Sequence, residues 1–527
     1  MVRRMNPIRT RTVAGSTFFF ATLAAFATFG ACTSFGSSTN PEEDGGATPS
    51  PEAALPDGGV LPPGPVPFDA AVPFTLKVPT APVVAIRGRT AGTFDVTVEP
   101  ALKGDVVLEG LPPGVTAARA AFTVQGVAKM TVEVPAGIRS GTFEVTVKAN
   151  QVGTASTATA KVKLEVRGAP GEVDETFANY LKPIAGIPAR SFTGVSDLLP
   201  LPDGSLLMAE GEVVRKLRID GIPDTAFGAQ GIARVAGQAA TLLLRNGASI
   251  FALFSEPLLA GGGQHVFELD PATGTLSPKF DIPGTDVSLA REWTVLAAPS
   301  TLVVLGGQGS NWTALAFDPS TGSTATWGTG GKNTGSPSPA FAFFTGTQDH
   351  LFAREPSGVR HVVFNKAGGI VRAASVDFGT PFNVGGVLKR GEDDFVFAQG
   401  IPGALQLLSV KADVVSPLGP TYAGSFGSGI GIRVFNELPD GALAVGSTGD
   451  GTGILLLRTN QLGQPSPAFS STGEVVVGPF TAGTTDYLQI PQRAVLTADK
   501  LRVVVASGIV SPGVPQGSAF ALTRVWL

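Results

Sequence analysis

The sequence predicts an all-β protein, a small β-sandwich followed by a seven-bladed β-propeller. Three observations carry this expectation. Charged residues make up only 15% of the chain, Gly (68) and Pro (42) are abundant, and amphipathic helical runs are nearly absent, the composition of many short strands joined by turns. Strict two-residue alternation of apolar and polar side chains begins near residue 73. From residue 171 onward, two different sequence features each recur seven times, at a period of about 50 residues that suits one propeller blade per unit. At 527 residues the chain is too long for one ordinary core, so several domains or a repeat array are expected.

The first element is a targeting segment over residues 1–31. Arg3, Arg4, Arg9 and Arg11 precede an apolar run from Val13 to Ala31, which closes on Phe29-Gly30-Ala31-Cys32. Basic, apolar and small-residue zones in that order make a secretory signal. Cys32 is the single cysteine, so no intramolecular disulfide can form. The stretch ending in Gly-Ala-Cys resembles the lipobox of bacterial lipoproteins, with Phe29 standing where that family usually has Leu. The resemblance implies cleavage before Cys32 and a lipid attached to its thiol. Thr33, in place of the family's inner-membrane retention Asp, favours the outer membrane. A signal cleaved nearby and an uncleaved anchor helix are the alternatives. Arg3-Arg4 lacks the hydrophobic residues that follow a twin-arginine export pair. Losing four arginines and no acid leaves the mature chain more acidic than the −4 of the full sequence. Without a basic stripe, nucleic acid is excluded as a partner class.

Residues 32–72 are rich in Ser, Thr, Pro, Gly and Ala, as in "TSFGSSTNPEEDGG". They hold too few large apolar side chains to offset ordering entropy and read as a disordered stalk. Over residues 73–168 the pattern changes. Phe94–Glu99, Lys129–Val134, Phe143–Lys148 and Lys161–Val166 each alternate apolar and polar residues, the signature of half-buried antiparallel strands. About seven strands separated by turns such as Leu111-Pro-Pro-Gly114 suit a small sandwich. The phrases "GLPPGVTA" and "VPAGIRSGTFEVTV" resemble the immunoglobulin-like modules of bacterial surface proteins, which implies a spacer.

Residues 171–527 repeat. A short segment led by Asp or Ser and ending in an aromatic recurs at Asp174–Phe177, Asp224–Phe227, Ser277–Phe280, Ser375–Phe378 and Ser466–Phe469. Thr324–Trp327 belongs to the series, and Ser416–Gly419 is a member that has lost its aromatic. Out of phase with these anchors, Leu201-Pro-Asp-Gly204 and Leu438-Pro-Asp-Gly441 are tight turns that feed strands. Looser turns fall at Arg245–Gly247, Ala298–Ser300, Gln348–Asp349, Gly391–Asp393 and Ala498–Lys500. The Pro-Asp-Gly turn with a downstream Asp-x-x-Phe-Gly, clearest in units one and six, resembles the delta-60 repeat. That likeness implies a repeat architecture and no activity. The repeated Phe is read as a packing joint, since one large side chain per unit buries about 150–250 Å².

Candidate chemistry is sparse. The histidines are His265, His350 and His361. A one-residue offset between His265 and His361 within their units turns them to opposite strand faces, against a shared metal site. His350 is expected at a solvated hairpin. No Ser lies in a Gly-x-Ser-x-Gly elbow. Gly328–Asn333 lacks the residues of a phosphate loop, and Gly446–Gly453 lacks the spaced carboxylates of a calcium loop. Glu210, Glu212, Glu392, Asp393 and Asp394 are acids that could serve hydrolysis if they faced one another, but exposed turns are their commoner setting. No catalytic, cofactor or metal residue is assigned, and no cofactor is expected. The leading expectation is an envelope lipoprotein, anchored through Cys32, whose propeller binds or scaffolds a protein or glycan. The alternative is a propeller hydrolase acting on polysaccharide or lactone.

Overall fold

The computed structural model describes residues 73–177, 180–183, 194–257, 262–282, 289–297, 300–308, 311–336, 340–379, 383–401, 404–423, 434–478, 480–482, 485–510 and 518–527. The targeting segment 1–31, Cys32 and the stalk 32–72 lie outside them. The described residues are strands and turns, and none is helical. Residues 75–167 make two sheets. One orders the strands Thr75–Lys77, Gly92–Glu99, Val127–Glu133 and Thr116–Ala117. The other orders Val83–Ile86, Thr157–Arg167, Gly141–Gln151, Gly104–Glu109 and Ala120–Ala121. The alternation seen in the sequence sets their inner faces. Phe94 and Val96 meet Ala128, Met130, Val145, Val147, Val162 and Leu164 in one shared apolar core, while Asp95, Lys129 and Lys161 point outward.

Residues 180–526 contribute seven further sheets among the described residues, built mostly as four-stranded antiparallel meanders. The first six cover 195–234, 239–282, 289–335, 340–377, 383–423 and 434–477. Six of the seven sequence turns fall between the first and second strands of a sheet, and the seventh, at 298–299, lies outside the described residues. The first strands, Val195–Pro200, Ala239–Asn246, Leu289–Ala297 and Ala340–Phe344, pack in succession, as do Asn383–Gly391, Val434–Leu438 and Thr485–Leu496. Thr485–Leu496 then returns to Val195–Pro200, and the apolar cluster that joins Ala342 and Phe352 to Phe395 and Phe397 spans the remaining step, so the first strands ring a central channel. Seven apolar clusters, one at each seam, complete the circuit. Six of the seven innermost strands carry a register shift, near the start of the first five as between Val195 and Asp197, and midway along Thr485–Leu496 between Pro491 and Arg493. Such a bulge adds twist and turns a side chain toward the channel.

The anchors are the joints of this ring. The Phe227 amide donates to Asp224 O at 3.1 Å, that of Phe469 to Ser466 O at 3.0 Å, and that of Phe177 to Asp174 O at 3.2 Å. Each aromatic thus turns into a seam: Phe227 into the first–second, Phe469 into the sixth–seventh, Trp327 into the third–fourth. A turn glycine of the next sheet rests on the joint. Gly274 has φ +72°, and a Cβ there would lie 2.6 Å from Gly228 N, which donates to Thr273 O at 2.8 Å. Gly221 meets Phe177 and Gly322 meets Phe280 in the same manner. Two anchors depart from the expected turn. Ser277–Phe280 lies inside the strand Leu276–Ile282, and Ser375–Phe378 runs along the end of Ile370–Asp377, so Phe280 and Phe378 are only partly buried. Where Gly419 has no aromatic, Tyr422 fills the fifth–sixth seam and donates its hydroxyl to Gly463 O.

The anchor Asp174–Phe177 belongs to the last sheet rather than the first. Thr485–Leu496, Arg502–Val510 and Ser518–Trp526 are completed by Tyr180–Pro183, which pairs Tyr180 with Leu522 and Pro183 with Ala519. Asp174 is fully buried and binds Arg524 Nε at 2.8 Å and Arg502 Nη1 at 3.0 Å. It also accepts from the Thr176 amide at 3.0 Å and the Thr176 hydroxyl at 2.7 Å. Burial pushes its carboxyl up, but Thr176, Arg524 and Arg502 outweigh burial and hold it below the usual carboxylate range. On the Arg524 side burial wins over the same pair and lowers the guanidinium, which stays charged regardless. The sandwich joins at this point: Arg87 reaches Glu172 at 2.7 Å and Glu175 at 3.2 Å, and Ser140 Oγ lies 3.4 Å from Asp174.

Two stability changes are expected in urea unfolding. Phe227→Ala should cost about 3–5 kcal/mol, the range for a buried aromatic truncated in a packed core. Asp174→Ala strands two mostly buried guanidinium groups and should also cost about 3–5 kcal/mol. A loss under 1 kcal/mol in either variant would contradict the joint assigned to it.

Candidate functional site

The acids singled out in the sequence are spread through the ring and engaged locally. Glu210 is buried and takes Arg215 at 2.8 Å, and Glu212 pairs with Arg234 at 2.6 Å. Glu392 accepts from the backbone of Thr347 and Gln348 and from the Thr347 hydroxyl, linking the fourth and fifth sheets. Those bonds, the Thr347 hydroxyl foremost, hold its carboxyl down to about 2. Asp394 pairs with Arg390 at 2.8 Å. Gly328 is a joint, donating to Ala367 O at 2.7 Å. In the hairpin Gly446–Gly453, Asp450 accepts from Thr448 Oγ1 at 2.6 Å and the Thr452 amide at 3.0 Å.

One acid at the channel has no signal in the sequence. Asp197 follows the bulge of the first innermost strand and is one-fifth exposed. Its carboxylate accepts the Leu198 amide at 2.9 Å and, across the seam, the Leu243 amide at 2.8 Å. An innermost strand has a ladder partner on one side only, so its channel-side amides need such acceptors. Arg493 stands 3.9 Å away. Desolvation pushes the Asp197 carboxyl up to about 6 against these favourable contacts.

The three histidines separate differently from expectation. His265 binds Asp281 at 2.6 Å and Glu256 at 3.1 Å. Burial pulls its imidazole down, but the two carboxylates raise it above its ordinary value. His350 is not solvated at a hairpin. It opens the strand Asp349–Arg354 with 0% exposure and faces His361 on Gly358–Phe364. The register pairs His350 with Val363 and Phe352 with His361, so the two histidines are diagonal neighbours on one sheet face. Their Nδ1 and Nε2 atoms lie 3.1 Å apart, and His361 Nδ1 contacts Asp413 at 2.5 Å. Asp393 lies 4.0 Å from His350 Nδ1, and Arg372 bridges Asp393 at 2.7 Å and Asp413 at 3.1 Å. Phe352 stacks on His361 at 4.4 Å and Phe395 flanks His350 at 5.0 Å between ring centroids. Burial first, then the neighbouring His361 and Lys389, pull His350 down to about 4, and burial also lowers His361 against the opposing effect of Asp413.

A cavity of about 290 Å³ lies between the sandwich and the ring, lined by Thr142, Glu165, Asp220, Arg502, Arg524 and Trp526. Its arginines are committed to Asp174. A second, of about 180 Å³, opens between the fifth and sixth sheets beside Lys389, Glu437 and Asn460.

Sheets packed face to face around a channel and closed by an N-terminal strand define the class as a β-propeller. No protein-family model and no curated protein matches the sequence. Among solved structures, the chain is similar to YCF48 bound to a D1 peptide, at 9% identity over 68% of this chain and 98% of that one, with a TM-score of 0.42. It is also similar to an auxiliary nutrient binding protein from Bacteroides thetaiotaomicron, at 10% identity over 85% and 98% of the two chains, with a TM-score of 0.36. A quinonprotein alcohol dehydrogenase-like protein from the same organism matches at 10% identity over 85% and 97%, with a TM-score of 0.32. The propeller assignment rests on the sheet order and the ring of contacts.

Asp197 has a pH signature. Its folded pKa lies above the unfolded value, so its contribution is fully present below about pH 4 and is lost as pH rises through about 6. Lowering the pH from 7 to 4 should therefore shift the stability difference between the parent and Asp197→Asn toward the parent, by up to about 3 kcal/mol. Paired urea titrations at the two pH values measure it, and a shift toward the variant would refute the burial assigned to this carboxyl.

Proposed function

We propose that the chain is a cell-envelope lipoprotein, held by an acyl group on Cys32 and a stalk, whose propeller binds or scaffolds an envelope or extracellular protein or glycan. On this reading the ring is a seven-bladed propeller of delta-60-type repeats, the sandwich is an immunoglobulin-like spacer, and the body sits at the outer membrane. The observation that carries it is where the repeated residues go. The anchor aromatics and turn glycines are spent on seams, and the acids considered for hydrolysis are engaged in local pairs. What remains for a partner is the set of loops in which the units differ. Function on a repeat scaffold is argued from such differences, since the fold by itself specifies none.

The anchor is tested by feeding cells a clickable fatty acid and fractionating them. The parent should carry the label and stay with membranes after a high-salt wash, and Cys32→Ala should lose the label and appear in the soluble fraction. Full membrane retention of the unlabelled variant would overturn the lipid anchor. The binding role is read by cross-linking the full chain in intact cells and by glycan-array binding. Absence of any saturable partner in both assays would count against it.

A further inference from the structure

The geometry points to a zinc-type metal site at the seam of the fourth and fifth sheets, with His350 Nδ1, His361 Nε2 and an Asp393 carboxylate oxygen as its protein ligands. The three ligand atoms lie within 4.8 Å of one another, and among the described residues no other group of three His, Cys, Asp or Glu side chains comes together in this way. Tetrahedral zinc with bonds of about 2.0–2.1 Å places its ligand atoms about 3.3–3.4 Å apart. The observed separations of 3.1 Å between the imidazole nitrogens and 4.0 Å from His350 to Asp393 bracket that value. Closing the shell takes ring rotations and a shift of Asp393, which lies within 4.8 Å of both histidine nitrogens.

The surroundings of His361 match what a metal-binding histidine requires. Asp413 accepts from His361 Nδ1, which fixes the tautomer and leaves the Nε2 lone pair for an ion, the carboxylate–histidine–metal arrangement. Asp413 is held at φ 67° directly after Ala412 at φ 48°, two consecutive left-handed residues without glycine's freedom. The orienting acceptor is present for His361 alone: His350 is completely buried and, with Nδ1 on the ion, its Nε2 carries the ring proton without a hydrogen-bond partner. Phe352 and Phe395 close the inner side, while Asp393 is one-third exposed. That exposure gives an ion a way in and leaves a fourth position for water. Arg372 spans Asp393 and Asp413, so binding moves the guanidinium fully onto Asp413 and frees Asp393. Two imidazoles and one carboxylate favour zinc and its first-row neighbours over calcium or magnesium, which take oxygen shells. Since both histidines come from the fourth sheet and Asp393 from the fifth, the ion would clasp the seam.

The test is titration of zinc chloride into the chelator-stripped, untagged full-length chain in detergent, with Cys32→Ser removing the one thiol. Calorimetry should give one equivalent at micromolar or tighter Kd, with a higher Tm. Cobalt substitution should give the visible absorption of a tetrahedral nitrogen–oxygen site. His350→Gln should weaken binding by about 100-fold or more, and Asp413→Asn by about 10–100-fold through the lost orientation of His361. His265→Gln should leave it unchanged. If His350→Gln does not fold, Asp393→Asn, on the exposed side, carries the ligand test with the same expected loss. Failure of the parent to bind one equivalent, or binding undiminished in the ligand variants, overturns the site.

Discussion

The ring depends on one buried carboxylate. Asp174 meets Arg524 across 350 positions of sequence, and the strand that follows it supplies the outer edge of the last sheet. Without that closure the ring would be broken at one seam, exposing on its two faces apolar residues such as Phe177, Met208 and Phe520. A buried ion pair is expensive to desolvate, and its strength as a device lies in permitting one partner geometry. Asp174 meets that condition through two arginines and Thr176. Arg524 also stacks over Phe177 at 4.5 Å, and Arg502 over Trp526 at 4.6 Å. The charged closure and the apolar seam are therefore one structure, and Arg87 and Ser140 dock the sandwich against it.

Around the rest of the circuit the seams are apolar, and their economy explains how the repeats could diverge. Each seam needs one large group at the joint and a turn without a Cβ where the next sheet approaches. Phe227 with Gly274 meets this need, and so does Tyr422 with Gly463, although the latter aromatic comes from outside the motif. The fourth strands lie on the outer rim, where Val371, Val414 and Val476 remain exposed. Little is buried there, so little constrains the motif, and Ser277–Phe280 and Ser375–Phe378 merge into strands.

The seam of the fourth and fifth sheets is different. It combines Phe352, Phe395 and Phe397 with the polar chain His350, His361 and Asp413. Burying two imidazoles is costly unless their nitrogens find partners, and one nitrogen of His350 does not. The sequence placed His350 at a turn because Gln348 and Asp349 read as one. Once the turn at 355–358 is known, the pairing sum that sets Arg354 opposite Val359 also sets His350 beside His361. That signal was present but needed the register. Asp197 offered no signal at all, since its role comes from a bulge and from an amide of the neighbouring sheet.

By itself the sequence determined the all-β class, the alternating faces of the sandwich, and the positions of the turns that open each sheet. These follow from periodicity and turn stereochemistry acting over a few residues. It also showed seven joints, but not that the first of them completes the last sheet. Tertiary structure alone decided that assignment, the replacement of a missing aromatic by Tyr422, and the meeting of His350, His361, Asp393 and Asp413. Those contacts join residues 11 to 350 positions apart, and they exist only because ring closure and seam burial bring separate sheets to one place.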